Sequence, residues 1–247
     1  TCTSFMKNRV KVRIESPISD RIHVRKVENV PAGRVCGPIV DDNYLKTESG
    51  LYPDLLRELV DGEVDIFPQK WRSIWIDIEV TEDVKAGLYP VTVILEKDGE
   101  TLARAATEVT IYDAVLPKQK MMHTEWFYLD CLADYYHVPV FSEEHWEIIT
   151  NYLKEYVKRG CNMILTPLFT PALDTAVGIE RTTTQLLDVR VENGNYSFGF
   201  DRVKKWIDLC QSCGIEYFEI CHLFSQWGAK YAPKVMAVVN GKEEQIF

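Results

Sequence analysis

Side chains that could recognise a small polar ligand follow three short apolar runs in the second half of the chain. Indole rings offer flat faces on which the C–H faces of a sugar can stack, and carboxylate, amide and imidazole groups form hydrogen bonds with hydroxyls. This combination is typical of a saccharide-binding site. The candidate substrate-binding residues are Glu125, Trp126, Asp174, His222, Gln226 and Trp227.

Each of these residues also has a purely structural interpretation. Trp126 could fill the core, Glu125 could form a structural ion pair, and His222 could orient a loop. The segment Thr170–Asn195, which contains Arg181, is long for a connection between a strand and its helix. Such segments are often functional, but this one could equally cover a surface or an oligomer contact.

Other chemistries fit the sequence poorly. Cys210 and Cys213 form a single C-x-x-C at the end of a helical pattern. The helix dipole opposes thiolate formation there, and a zinc site needs four ligands. The chain also lacks a G-x-S-x-G nucleophile motif and a phosphate-binding G-x-x-x-x-G-K-[ST] loop. We therefore predict no metal site and no cofactor.

Composition narrows the class of partner. The net charge of -9 argues against nucleic acid, because affinity for a phosphate backbone depends on Lys and Arg. No apolar run approaches the roughly 18–20 residues of a transmembrane helix. The 7 cysteines are odd in number and scattered. That pattern favours reduced thiols and a compartment such as the cytoplasm, although it leaves the localisation open.

The first part of the chain shows the alternation of half-buried β-strands, most clearly in Trp71–Val80. Asp98-Gly99 between two alternating segments predicts a tight hairpin, because a type I′ turn needs positive φ. Residues 41–56 are rich in turn formers and predict an irregular excursion. We therefore predict an N-terminal antiparallel β-sandwich over residues 1–117, ending at Leu116-Pro117.

From residue 118 onward, strand-like and helix-like patterns alternate, which implies a parallel sheet with right-handed crossovers. No G-x-G-x-x-G follows the first strand, so a (β/α) TIM barrel is favoured over a dinucleotide-binding fold. Residues 118–247 hold only about three of its eight strands, and the alternative is a smaller open sheet. The predicted strands are Met122–Leu129, Asn162–Thr166 and Tyr217–Cys221; the helices begin at Ser142 and Asp201 and end before Gly160 and Gly214.

Several unusual sequence runs resemble glycoside hydrolase family 123. Residues 222–229 (HLFSQWGA), followed by residues 232–234 (APK), are similar to a barrel segment of that family. Residues 50–56 (GLYPDLL) are similar to a segment of its sandwich domain, and residues 166–171 (TPLFTP) and Glu180-Arg181 are similar to its barrel loops. The resemblance extends over most of the chain.

The resemblance implies a β-sandwich followed by a (β/α)8 catalytic barrel, and a retaining exo-β-N-acetylgalactosaminidase or a relative. The substrate's own 2-acetamido group attacks the anomeric carbon, an Asp positions that group, and a Glu serves as acid and then base. The family's Asp-Glu-Pro motif does not occur in the sequence. We therefore expect no catalytic residue in this chain, a catalytic pair beyond residue 247, and no activity from the chain alone.

Two other functions remain open. The chain could belong to a non-catalytic carbohydrate-binding or scaffold protein, or to a barrel glycosidase with two carboxylates about 5–10 Å apart. In each case the expected partner is a glycan or glycoconjugate, and a homo-oligomer is possible. The resemblance suggests a bacterial source. Because the chain has no initiator Met and soon enters the strand-like Val10–Ile14, we expect it to begin inside a domain.

Overall fold

The computed structural model describes residues 2–33, 46–171, 180–224, 228–229 and 232–247. The chain divides into two compact units, Thr1–Pro117 and Lys118–Phe247. Strands predominate over helices, and most strand pairs are antiparallel.

The described part of the first unit forms two antiparallel sheets. One sheet has the order β4-β1-β6-β7 and the other β3-β2-β5. A 3₁₀ turn at Ser19–Arg21 precedes β2. The strands are β1 Asn8–Glu15, β2 Ile22–Ala32, β3 Gly50–Glu58, β4 Glu63–Ile66, β5 Ile74–Ile78, β6 Gly87–Lys97 and β7 Glu100–Ile111.

The core of this unit follows from the period-2 pattern of its strands. Val10 and Val12 of β1 are buried, whereas the adjacent Arg9 pairs with Asp65 at the surface. Val24 of β2, in the other sheet, packs against the cluster that contains Val10 and Val12. The two sheets therefore share a hydrophobic core.

Turn chemistry connects the strands, and it corrects one expectation. Asp98 and Gly99 have φ of 52° and 84° and form the predicted hairpin between β6 and β7. Residues 41–45 lie outside the described residues, but Gly50–Glu58 is strand β3 and not an irregular excursion. Pro53 is tolerated because β3 is an edge strand.

The second unit combines three helices with six strands among its described residues. Strands β8 and β11 pair in parallel, and a second sheet has the order β10-β9-β12-β13. The helices pack on a core that includes Ile149, Leu153, Ile164, Leu186 and Trp206. The elements are α1 Leu129–Tyr136, α2 Glu143–Lys158, β8 Met163–Thr166, β9 Asp188–Glu192, β10 Asn195–Gly199, α3 Asp201–Cys213, β11 Tyr217–Ile220, β12 Met236–Val239 and β13 Lys242–Gln245.

Helix α2 begins and ends where its sequence predicts. The Ser142 hydroxyl accepts the backbone N–H of His145 at 3.1 Å, which satisfies one free donor of the first turn. After the helix, Gly160 has φ of 86°, a conformation that glycine adopts without a steric penalty. His145 is fully buried, and burial lowers its pKa. A neutral ring suits its contacts, since Nδ1 accepts the Phe141 N–H and Nε2 donates to the Leu129 carbonyl.

The predicted strand Met122–Leu129 is wrong. Residues 123–128 are not part of a sheet, and α1 already begins at Leu129. The Tyr156 hydroxyl of α2 is the physical reason, because it accepts the Glu125 N–H at 2.8 Å and donates to the Met163 carbonyl at 2.7 Å. The Tyr156 side chain thus lies where a direct backbone hydrogen bond would join this segment to β8.

The long segment Thr170–Asn195 contains structure that the sequence prediction did not include. Strands β9 and β10 form a hairpin around Asn193 and Gly194, whose φ values are 50° and 79°. Strand β9 also pairs in parallel with β12, which joins the segment after β8 to the segment after β11. Among the described residues β8 and β11 are a parallel pair, and the (β/α)8 barrel remains a prediction.

Candidate functional site

Trp126, Glu219 and His222 converge at one place in the second unit. The indole Nε1–H of Trp126 donates to Glu219 Oε2 at 2.8 Å. The His222 ring meets the Trp126 ring edge to face, with centroids 5.5 Å apart and planes at 75°. Trp126 remains 43% exposed, so part of its indole is accessible to a ligand. We call these residues the Trp126 cluster.

The strand order explains why these side chains meet. The His123 carbonyl accepts the Asn162 and Met163 N–H groups at the start of β8, so the segment before α1 runs along β8. Phe127 and Phe218 both pack into the helix-covered core. Because neighbouring side chains of an extended chain point to opposite faces, Trp126 and Glu219 lie on the face away from the helices.

The Trp126 cluster lies at the end of β8 and β11 where a barrel site is expected. Glu219 is paired with Leu165, one residue before the last residue of β8. His222 follows two residues after the end of β11. Ligand sites in parallel α/β folds form at the carboxyl ends of the strands. The structure therefore brings together two of the predicted residues, Trp126 and His222, and adds Glu219.

Glu125 has a different set of contacts. Its carboxylate lies 3.1 Å from Nε2 of His123, and its backbone N–H donates to the Tyr156 hydroxyl. The other ring nitrogen of His123 faces the buried Cys161 thiol at 3.9 Å. Burial raises the pKa of Cys161, which keeps it a neutral thiol. Glu125 thus has a local partner in His123, in keeping with the structural interpretation that the sequence left open for it.

Three further predicted residues, Asp174, Gln226 and Trp227, lie outside the described residues. Their contribution to a substrate site therefore stays a prediction.

A buried ion pair fixes the chain beside the site, and sequence reasoning did not single it out. Arg181 donates to both carboxylate oxygens of Asp130, with Nε–Oδ2 at 2.7 Å and Nη2–Oδ1 at 3.0 Å. Its guanidinium also lies 3.9 Å from the centroid of the Tyr128 ring. Although burial lowers the pKa of Arg181, the Asp130 hydrogen bond and charge offset this and raise it above its usual value. Residue 181 is thereby fastened to α1.

Gln185 has a structural role among the described residues. Its side chain accepts the Met236 N–H and donates to the Met236 carbonyl, each at 2.9 Å. It also donates to the Leu187 carbonyl at 2.7 Å. The Gln185 side-chain amide thus forms the two hydrogen bonds that the backbone of a neighbouring strand would form, and it holds β12 in place.

An open apolar groove of about 330 Å³ lies beyond β8 and β11. It begins one residue after His222, at Leu223. Most of its aromatic side chains are half-exposed or more. Its lining residues include Phe169, Tyr196, Phe198, Leu223, Phe224 and Phe247.

The described residues contain no group of three or more His, Cys, Asp or Glu placed to hold a metal ion. Cys210 is fully buried, and burial raises its pKa, so its thiol is not primed for redox chemistry. Within the same part of the chain, every helix is too short or too polar to cross a membrane.

Comparison with known proteins finds a related family. Residues 126–247, just under half of the chain, match the family model "Glycoside hydrolase 123, catalytic domain". The chain is a glycoside hydrolase family 123-like protein. No curated protein matches it.

A solved structure supports the fold. It belongs to a family 123 glycoside hydrolase from Clostridium perfringens, studied for the hydrolysis of glycolipid glycans. The TM-score is 0.72 at 18% sequence identity, and the match covers 99% of this chain and 44% of that chain. This chain therefore spans less than half the length of that relative.

Proposed function

We propose that the whole protein is a retaining, substrate-assisted exo-glycosidase that removes terminal β-linked N-acetylgalactosamine or a related N-acetylhexosamine. In this proposal the chain supplies an N-terminal β-sandwich domain, residues 1–117, and the first part of a (β/α)8 barrel, residues 118–247. The observation that carries it is the Trp126 cluster, which lies within the family-matched segment and presents a partly exposed indole beside polar groups.

The roles follow from the chemistry of each side chain. The exposed face of Trp126 stacks on the C–H face of the sugar, and His222 hydrogen-bonds to a hydroxyl at its edge. Asp174, Gln226 and Trp227 complete the substrate-binding set, with Glu125 at its margin. The side chains of the Trp126 cluster include no Lys or Arg, which suits an uncharged sugar.

The catalytic carboxylates are not assigned to residues 1–247. The sequence has no Asp-Glu-Pro, and two of its acidic pairs, Glu82-Asp83 and Glu143-Glu144, lie at a turn of the first unit and at a helix start. Glu143 and Glu144 form the first turn of α2, and Asp83 caps a turn with Thr81. We propose that the chain alone binds sugar without hydrolysing it, and that the Asp-Glu pair of a substrate-assisted mechanism comes from outside these residues.

The substrate carrier is a further part of the proposal. The structural relative was studied for the hydrolysis of glycolipid glycans. N-acetylgalactosamine-terminated glycolipid headgroups are therefore the natural substrates to assay first.

Hydrolysis of 4-nitrophenyl glycosides by the whole protein tests the function. We expect 4-nitrophenol from the β-N-acetylgalactosaminide and none from the β-galactoside, because only the first carries the acetamido nucleophile. Comparison with the β-N-acetylglucosaminide defines the preferred hexosamine. Release from the galactoside would instead indicate two enzymic carboxylates, and no release from any of the three, with glycan binding retained, would indicate a binding protein.

A further inference from the structure

We propose that Glu219 is a positioning residue of the sugar site, and that it acts by holding the indole of Trp126 in the orientation that stacks on substrate. The inference rests on the proposed function and adds a residue to it. Glu219 is an acidic residue inside a strand, and its carboxylate accepts the indole N–H at 2.8 Å.

The backbone around Trp126 does not fix the indole by itself. Residues 123–128 belong to no sheet, and the Glu125 N–H is bound to the hydroxyl of Tyr156 rather than to a strand. A tryptophan side chain also rotates about two torsions. A half-exposed indole at such a position needs a partner to keep one orientation.

Glu219 has the rigid support that Trp126 lacks. It lies in β11, in register with Leu165 of β8, and its neighbour Phe218 is packed in the core. A hydrogen bond to an ionised acceptor is stronger and more directional than a neutral one. With His222 against the ring at 75°, the indole is held from two directions.

The chain contains a matched comparison in its first unit. Trp75 is 50% exposed and donates its indole N–H to Asp77 Oδ1, also at 2.8 Å. That pair has the same donor and acceptor types but lies in β5, outside the family-matched segment, where Asp77 also forms an ion pair with Arg25. Asp77→Ala therefore controls for the general effect of releasing a surface indole.

Kinetics of the whole protein on 4-nitrophenyl β-N-acetylgalactosaminide test the role. We expect Glu219→Ala to raise KM about tenfold, the effect of losing one hydrogen bond to a charged group, with a smaller change in kcat. Glu219→Gln keeps an acceptor for the indole and should restore most of the affinity. Asp77→Ala should leave KM unchanged.

A second readout needs no substrate. In ¹⁵N-labelled chain, the Trp126 indole N–H resonance, assigned with Trp126→Phe, should move upfield in Glu219→Ala and stay near its place in Glu219→Gln. A moved resonance with unchanged KM would overturn the positioning role and leave the sugar site intact. If the resonance does not move, the hydrogen bond from the Trp126 indole to Glu219 is not formed, and the positioning role is overturned. A wild-type protein that neither hydrolyses nor binds any of the glycosides would overturn the proposed function, and this inference with it.

Discussion

Asp130 and Arg181 are the most deeply buried ion pair between the described side chains. Asp130 is only 4% exposed, and its two oxygens both accept from the guanidinium. In this environment the desolvation of each charge is tolerated because the partner is present. The pair joins α1 to residue 181, beyond β8, and therefore connects two segments that flank the candidate site.

Asp130→Asn should destabilise the second unit by about 3 kcal/mol, because it removes the buried carboxylate that both guanidinium hydrogen bonds reach. Urea unfolding followed by tryptophan fluorescence measures the loss. Asp134→Asn is the control, since this exposed carboxylate on the same helix accepts only from the Thr182 hydroxyl among the described groups. It should cost less than 1 kcal/mol. Equal small losses in both variants would mean that the buried pair adds no stability.

Part of the candidate site could be predicted from residue types. His222 was predictable because it follows an apolar run where a parallel strand ends. Trp126 was a candidate because of its indole ring, although the strand predicted around it did not form. Glu219 was not, because an acidic residue in a strand normally marks a solvated face. Only the pairing of β8 with β11 brings its carboxylate beneath an indole that lies 93 residues earlier in the chain.

Tyr156 shows how one element can replace a hydrogen bond of another. Its hydroxyl accepts the Glu125 N–H and donates to the Met163 carbonyl, and burial raises its pKa, which keeps it protonated. The sequence shows Tyr156 only as part of the apolar stripe of α2. Residues 122–129 have the composition of a buried strand. They do not form one because the Tyr156 hydroxyl takes the place of a direct backbone hydrogen bond.

Tyr156→Phe should lower the stability of the second unit by about 2 kcal/mol, because the Glu125 N–H and the Met163 carbonyl both lose their partner. Thermal unfolding should register this as a decrease of several degrees in Tm. Tyr152→Phe is the matched control on the same helix, since its hydroxyl meets that of the exposed Tyr136 at 3.3 Å. If Tyr156→Phe unfolds at the temperature of Tyr152→Phe, the bridging hydroxyl has no structural importance.

Local sequence signals predicted the ends of the helices better than they predicted which strands pair. Ser142, Gly160 and Gly214 marked the helix ends correctly because capping depends on neighbouring residues. The Asn193-Gly194 hairpin carried an equally strong turn signal, but the long segment around it was interpreted as a loop. The parallel pairing of β9 with β12 joins residues almost 50 positions apart, and no local pattern encodes it.

On the scale of the whole molecule, the apolar groove exposes several large hydrophobic side chains of the second unit to solvent. Phe198 lies on β10, an edge strand, and is 54% exposed. Phe224 also lines the groove and is exposed to the same extent. Contiguous apolar surface of this kind favours association, and edge strands add to the effect.

We therefore expect the 247-residue chain to self-associate as its concentration rises and to bind a fluorescent apolar dye. Phe198→Ser combined with Phe224→Ser should reduce both. Sedimentation velocity over a range of concentrations gives the association. Tyr135→Ser removes an aromatic residue that is 75% exposed on α1, outside the groove, and should change neither. If the wild-type chain stays monomeric and does not increase the fluorescence of the dye, the expectation is contradicted.

The central claim is that the Trp126 cluster is a sugar-binding site, and the most direct test compares two tryptophans in the whole protein. Trp126→Ala and Trp75→Ala each remove a half-exposed indole that donates to a carboxylate at 2.8 Å. We predict that Trp126→Ala lowers kcat/KM on 4-nitrophenyl β-N-acetylgalactosaminide by a factor of about ten or more, the loss of one stacking surface. Trp75→Ala should retain the wild-type value. Equal kcat/KM for the two variants would contradict the account.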